Sequence, residues 1–237
     1  RMLPYVDLSN EAWDDCMYAI FHYDNRNIAD CLLSKTPNLI HRVLSFAVLN
    51  KDLPLVKYLL EKGASPLTKS IGELSSFSYA LASKQSEIAL CMLDYMNIDG
   101  DDKTETPLLR ASLYGRIDIV KALIKRGADV HIHKKVGDIL SAFAYACIGG
   151  NTDVISFLKP YFTDYEHRVE FARSCRWDKL QVVELFLSWG FNVNGHESDT
   201  FRPLAYATTE NQVAMIQLLF ARGADPETST AIIAKLE

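Results

Sequence analysis

Two histidines, His131 and His133, stand two residues apart in a stretch whose pattern predicts an extended conformation, so both imidazoles point to one side of a strand. A pair placed this way is half of a zinc site. The complete site needs a third and usually a fourth ligand at about 2.0–2.3 Å, and nothing in the spacing requires Asp138 or His196 to supply them. The expectation is therefore two exposed histidines near the tip of a loop, with no metal and no cofactor. Asn97, Asp99, Asp101 and Asp102 begin like a calcium loop, but the glycine falls at the fourth place and Leu108 stands at the twelfth, where a bidentate glutamate belongs. The sequence contains no phosphate-cradling GxxxxGK[ST], no GxSxG nucleophile turn and no GxGxxG. His167 and Cys175 are predicted on separate elements, with nothing to mark a base and a nucleophile. No catalytic residue is predicted, and the chain reads as a non-enzyme.

The elements that would position these residues follow one pattern, clearest in the stretch 101–130, DDKTETPLLRASLYGRIDIVKALIKRGADV. A polar turn leads to Thr106-Pro107-Leu108, where proline fits the first turn of a helix because its missing N–H has no partner there anyway. Ala111 and Ser112 are small enough for a neighbouring helix to come close. Gly115 separates a second helix whose Ile119, Val120, Leu123 and Ile124 make two adjoining faces apolar. Gly127 stands where a helix C-terminus takes a left-handed residue. Two short helices that are apolar on both sides cannot close a core alone and need copies above and below.

Copies of the pattern recur. Positions equivalent to Ile119 are Ile28, Leu55, Ile88, Val154, Val182 and Met215, with successive spacings of 27, 33, 31, 35, 28 and 33 residues. The period expected of ankyrin repeats is about 33. On TPLLRASLYGRIDIVKALIKRGADV, VLSFAVLNKDLPLVKYLLEKGASP and RPLAYATTENQVAMIQLLFARGADP the chain resembles the ankyrin-repeat family, over roughly residues 13 to 228. The family's usual histidine after Pro-Leu is absent, Leu109 and Ala205 standing in its place, which predicts some local irregularity. The resemblance implies an all-α repeat solenoid: a stack of helix-turn-helix units with short β-hairpin fingers.

The expected organisation is a single domain over residues 1–237, with repeats at about 13–36, 41–66, 74–96, 104–130, 139–162, 168–194 and 201–226, and a partial C-terminal cap over 227–237. The short spacings of 27 and 28 leave too few residues for a full finger after the first and fifth repeats. The clearest fingers are expected after the second, fourth and sixth.

A formal charge of −5 argues against a protein that lives by binding phosphate backbones. The nearest basic cluster, Arg110, Arg116, Lys121, Lys125, Arg126, Lys134 and Lys135, includes lysines placed by the helical pattern on an outer, solvated face. Nucleic acid is thus not the expected partner. Five scattered cysteines fall on or beside apolar helical positions, where a thiol acts as a small hydrophobe. No secretory signal opens the sequence, and no apolar run approaches the roughly 18 residues of a membrane span. The expectation is a monomeric protein of a reducing intracellular compartment, the cytoplasm.

What remains is recognition of a protein partner. In an ankyrin-like stack the fingers and first-helix faces line a concave surface. Residues projecting there after the small pair of each first helix include Tyr23, Leu113, Tyr114, Ile148, Arg176 and Trp177. Finger residues on the same side are Ile71, Leu74, Lys103, Glu105, Lys135, Asp138 and Phe201. Aromatic and arginine side chains are the usual interface anchors. The competing reading is that degenerate repeats close up and bury these rings, since aromatics are more often core than contact. Trp189 aligns with Lys62, Arg126 and Arg222, so it either packs under a neighbouring loop or serves a partner. The function expected is a non-catalytic protein-binding module. The alternative is the recognition arm of a larger enzyme, or of an effector, since these degenerate repeats are similar to those of effectors that intracellular bacteria deliver into host cytosol.

Overall fold

The computed structural model describes residues 30, 33–34, 39–71, 74–100, 106–132, 134–136, 138–196 and 202–227. These divide between two compact units, Arg1–Pro107 and Leu108–Glu237. Each is a stack of antiparallel helix pairs, as an all-α repeat solenoid requires.

In the first unit, α1 (Ile40–Leu49) and α2 (Leu53–Glu61) form one pair, and α3 (Ser76–Ala82) and α4 (Ser86–Met92) the next. First helices pack on first helices and second on second: α1 on α3, α2 on α4. Local chemistry sets the boundaries. Asp52 Oδ1 accepts from Leu55 N at 3.0 Å and Pro54 occupies the first turn of α2, while Ser75 Oγ accepts from Ser78 N at 3.1 Å to start α3. Between the pairs, β1 (Lys69–Ile71) and β2 (Leu74–Ser75) form an antiparallel hairpin, the finger expected after the second repeat. The core is Val43, Leu44, Val48, Val56, Leu59, Phe77 and Met92 with their neighbours. One polar contact crosses it: the hydroxyls of Ser45 and Ser76 meet at 2.7 Å.

The second unit holds α5 (Pro107–Leu113), α6 (Ile117–Lys125), α7 (Ala142–Gly149), α8 (Thr152–Leu158), α9 (Asp164–Arg176), α10 (Leu180–Ser188), α11 (Pro203–Thr209) and α12 (Val213–Ala221). The same rule of contact holds, with α7 on α9 and α9 on α11, and α6, α8, α10 and α12 packed in succession. The hairpin of β3 (Lys134–Val136) and β4 (Asp138–Leu140) is the finger after the fourth repeat. After the sixth repeat the described residues 191–196 contain turns and no strand, so the third expected finger does not appear there. After the fifth no finger intervenes: a 3-10 turn, Lys159–Tyr161, leads almost directly into α9.

The αL residue between the two helices of each pair marks the repeat. Lys51, Lys84, Gly115, Gly150, Asp178 and Asn211 all have φ between 54° and 77°. Each lies four residues before one of Leu55, Ile88, Ile119, Val154, Val182 and Met215, which are at most 4% exposed. Outside glycine this conformation costs roughly 1–2 kcal/mol, and burial of the helix pair it permits offsets that cost.

α9 departs from the pattern. With 13 residues it is the longest helix among those described, and it starts at Asp164 because Thr163 and Glu166 form a reciprocal capping box. Glu166 N donates to Thr163 Oγ1 at 3.3 Å, and Thr163 N donates to Glu166 Oε2 at 2.8 Å. The extra N-terminal turn stands where a finger would otherwise precede the repeat. His167 and Cys175, expected on separate elements, therefore share this helix.

Candidate functional site

The candidate face is built from the C-terminal ends of the first helices, where the chain turns toward the second. In the second unit α5 ends at Leu113, followed by Tyr114, whose N–H donates to Arg110 O at 3.0 Å. Leu113 and Tyr114 are half-buried, as is Ile148 near the end of α7. α9 ends at Arg176 and is closed by half-buried Trp177, whose N–H donates to Arg173 O at 3.1 Å. None of these four side chains is core, and none stands fully in solvent.

Two contacts fix the spacing of successive ends. The Asn151 carboxamide donates to Ser112 O and Leu113 O, both at 2.8 Å, satisfying carbonyls that the end of α5 leaves open. Arg176 Nε donates to Glu210 Oε1 at 2.8 Å while Gln212 Nε2 donates to Arg176 O at 3.3 Å. The ion pair is about half exposed on both sides, so it holds register while contributing at most about 1 kcal/mol. The approach of α7 to α5 explains Gly149. A Cβ there would lie 2.2 Å from both Leu113 O and Asn151 Nδ2. Gly149→Ala is expected to cost about 1–3 kcal/mol, as overpacking does. An unchanged urea midpoint would show that the two repeats are not in contact at this end.

The finger residues are positioned by the hairpins. Ile71 pairs with Leu74 across the first, and Leu74 is half-buried; Lys135 pairs with Ile139 and Asp138 with Val136 across the second. Tyr23, Lys103, Glu105 and Phe201 lie outside the described residues. The structure thus brings Leu113, Tyr114, Ile148, Arg176 and Trp177 onto one end of the helix stack in one unit, with Lys135 and Asp138 on that unit's finger. Leu74 and Ile71 belong to the other unit.

Residues considered for chemistry stay apart from it. His131 is exposed, with its ring edge against Phe162 at 5.5 Å, and His133 lies outside the described residues. Among the described residues no group of three His, Cys, Asp or Glu could hold a metal ion, and no helix is long and apolar enough to cross a membrane. Burial pushes the thiols of Cys147 and Cys175 well above their ordinary range, and Cys175 Sγ donates to Phe171 O at 3.5 Å. A thiol so held is protonated at neutral pH and is not a nucleophile.

Three features went unread in the sequence. His41 Nδ1 accepts from Ser65 N at 3.0 Å, tying the start of α1 to the turn after α2. His167 Nε2 donates to Lys159 O at 3.1 Å from a ring only 3% exposed. Around it Phe143, Phe162, Phe171, Phe186 and Phe191 meet at centroid distances of 5.0–6.4 Å. Trp189 closes this cluster, edge-on to Phe186 at 5.3 Å and with Lys159 Nζ 4.0 Å above its ring. Both readings of that tryptophan are partly met, since it packs against its repeat and remains half-exposed under a cation. The run Lys159-Pro160-Tyr161-Phe162, in place of a glycine turn, was the available signal.

Residues 44–134 match the family model for ankyrin repeats, three copies. Among curated proteins the chain is 24% identical over 130 residues to an ankyrin repeat protein of fowlpox virus (strain NVSL), covering 54% of this chain and 91% of that one. It is 27% identical over 128 residues to the potassium channel AKT2/3 of Arabidopsis thaliana, covering 53% of this chain and 16% of the channel. It is 26% identical over 211 residues to the ankyrin repeat and KH domain-containing protein mask-1 of Caenorhabditis elegans, covering 86% of this chain and 7% of that protein. The chain thus spans most of the viral relative and a small part of the other two. Among solved structures the human ASB11 ankyrin repeat domain superimposes with a TM-score of 0.56 at 23% identity, covering 77% of this chain and 84% of that one. At that identity the likeness concerns the fold alone.

Proposed function

We propose that this chain, whose residues 44–134 match the family model for ankyrin repeats, is a non-catalytic module that binds a protein partner on its concave face as a monomer. The observation that carries this reading is the row of half-buried Leu113, Tyr114, Ile148 and Trp177 at successive first-helix ends, beside the Arg176–Glu210 pair. Such side chains keep apolar area available while their own repeats hold them still, and interface anchors need both properties. Lys135, Asp138 and Phe201 extend that surface in this reading, and Tyr23, Ile71, Leu74, Lys103 and Glu105 are the candidate contact residues of the first unit. The free thiols of Cys91, Cys147 and Cys175 suit a reducing intracellular compartment. A second reading, the recognition arm of a longer protein, is favoured by the relatives in which a similar stretch makes up 16% and 7% of the whole.

A photo-crosslinking amino acid placed at Tyr114, and in a separate variant at the exposed Lys125 of α6, tests the face directly. The proposal expects the 114 variant to yield a discrete protein adduct in cell extract and the 125 variant none. An adduct from position 125 alone would move the binding surface to the second helices.

A further inference from the structure

Asn194-Gly195, in the turn after α10, is the only Asn-Gly step in the sequence. Such a step carries its own chemistry, because the glycine nitrogen is not shielded by a neighbouring Cβ and can attack the side chain before it. Gly195 N would form a bond to Asn194 Cγ while the Cγ–Nδ2 bond breaks. The proton lost from Gly195 N passes through solvent to the departing nitrogen, which leaves as ammonia. The cyclic imide then takes up water at either carbonyl and opens to aspartate or isoaspartate. The net change is water in and ammonia out, with no oxidant and no cofactor.

The fold holds both reacting groups away from this course. Gly195 N, the nucleophile, donates to Asn192 O at 2.8 Å, and Asn194 N donates to Asn192 Oδ1 at 2.9 Å. Asn194 Oδ1, on the carbon to be attacked, accepts from Asp225 N at 2.8 Å. Asn194 O accepts from Arg202 Nη1 at 2.9 Å. Gly195 is also packed closely, since a Cβ there would lie 3.1 Å from Pro203 Cδ.

The partners share one origin. Arg202 and Pro203 stand at the start of α11, and Asp225 follows the end of α12. Everything that restrains the Asn194 carbonyl groups therefore comes from the last described helix pair. Ring closure needs the side chain to swing onto Gly195 N, and neither group can move while those bonds are intact. Units at the end of a stack open more readily than the whole chain unfolds.

We propose that Asn194-Gly195 is a deamidation site gated by docking of the α11–α12 pair, protected when the pair is closed and converted when it opens. The isoaspartate product routes the main chain through an extra carbon, so the oxygens of residue 194 no longer fit both Arg202 and Asp225. Re-docking of the pair is then impaired, and the same pair carries Glu210 and Gln212, which bond to Arg176 at the end of α9. A transient opening is thereby recorded as a permanent loosening of the last repeat.

The test incubates the full chain at neutral pH and follows Asn, Asp and isoAsp at position 194 by peptide mapping. Conversion in the folded chain is expected to be at least about tenfold slower than in the same chain unfolded in urea, because only the open form reacts. Arg202→Gln, which removes a charged donor to Asn194 O, should speed conversion of the folded chain at least about threefold. Leu219→Ala takes a fully buried side chain from α12, remote from Asn194 in sequence, and should speed it at least about fivefold. Leu59→Ala, at an equally buried leucine of the first unit, should leave the rate within about twofold. Equal rates with and without urea, no conversion in urea, or equal acceleration by Leu59→Ala and Leu219→Ala would each overturn the proposal. None of these outcomes bears on Tyr114 or Trp177, so the first-helix face stands or falls separately.

Discussion

Leu123→Ala is expected to lower the unfolding free energy of the chain by about 2–5 kcal/mol, because a fully buried leucine leaves a cavity that rigid neighbours fill only in part. Leu123 is 0% exposed in α6, between Ile119 and Val120 on the side that packs on α8. Its loss removes apolar contact from two repeats at once, since a helix pair of this kind has no closed core of its own. The control is Lys121→Ala on the outer side of the same helix. Lys121 is exposed, with its Nζ 5.4 Å from the centre of the Phe157 ring. An exposed cation–π contact is worth about 0.5–1 kcal/mol at most. Urea denaturation of both variants measures the contrast. A loss below about 0.5 kcal/mol for Leu123→Ala would mean that α6 is rotated from the face described.

The repeat itself was legible because its physical signature is periodic. An apolar residue four positions after a left-handed turn must face the next helix pair, so Leu55, Ile88, Ile119, Val154, Val182 and Met215 could be aligned from spacing alone, and all six are buried. Fingers after the second and fourth repeats followed from residue count in the same way. What escaped depends on single side chains acting across a turn or between repeats. The reading began the sixth repeat at about residue 168, whereas α9 starts at Asp164 because Thr163 and Glu166 cap it. The residues TDYE held that capping-box signal. The same extension joined His167 and Cys175 on one helix.

Gly149 shows a different limit. Aligned with Tyr114 and Trp177 it is one more member of a column, but its missing side chain is what admits the Leu113 carbonyl. No period in one sequence reveals a contact between backbones. Arg176 was chosen as an interface anchor from its residue type. Its bond to Glu210 gives it a role within the stack as well, which moves the expected weight of recognition toward the two aromatic rings.

Those rings carry the central claim. Tyr114→Ala and Trp177→Ala should each weaken partner binding by about 2 kcal/mol or more, roughly thirtyfold. A half-buried ring at the end of a helix contributes less to its own fold than a core residue does, so unfolding stability should change far less than for Leu123→Ala. Lys125→Ala, on the second-helix side, should leave affinity unchanged. The most direct test is a paired titration and urea melt of Tyr114→Ala against the unmodified chain, using the partner recovered by crosslinking. Our reading predicts a Kd raised about thirtyfold with the urea midpoint nearly unchanged. A midpoint that falls steeply, while the remaining folded protein binds with unaltered affinity, would contradict it and assign Tyr114 to the core.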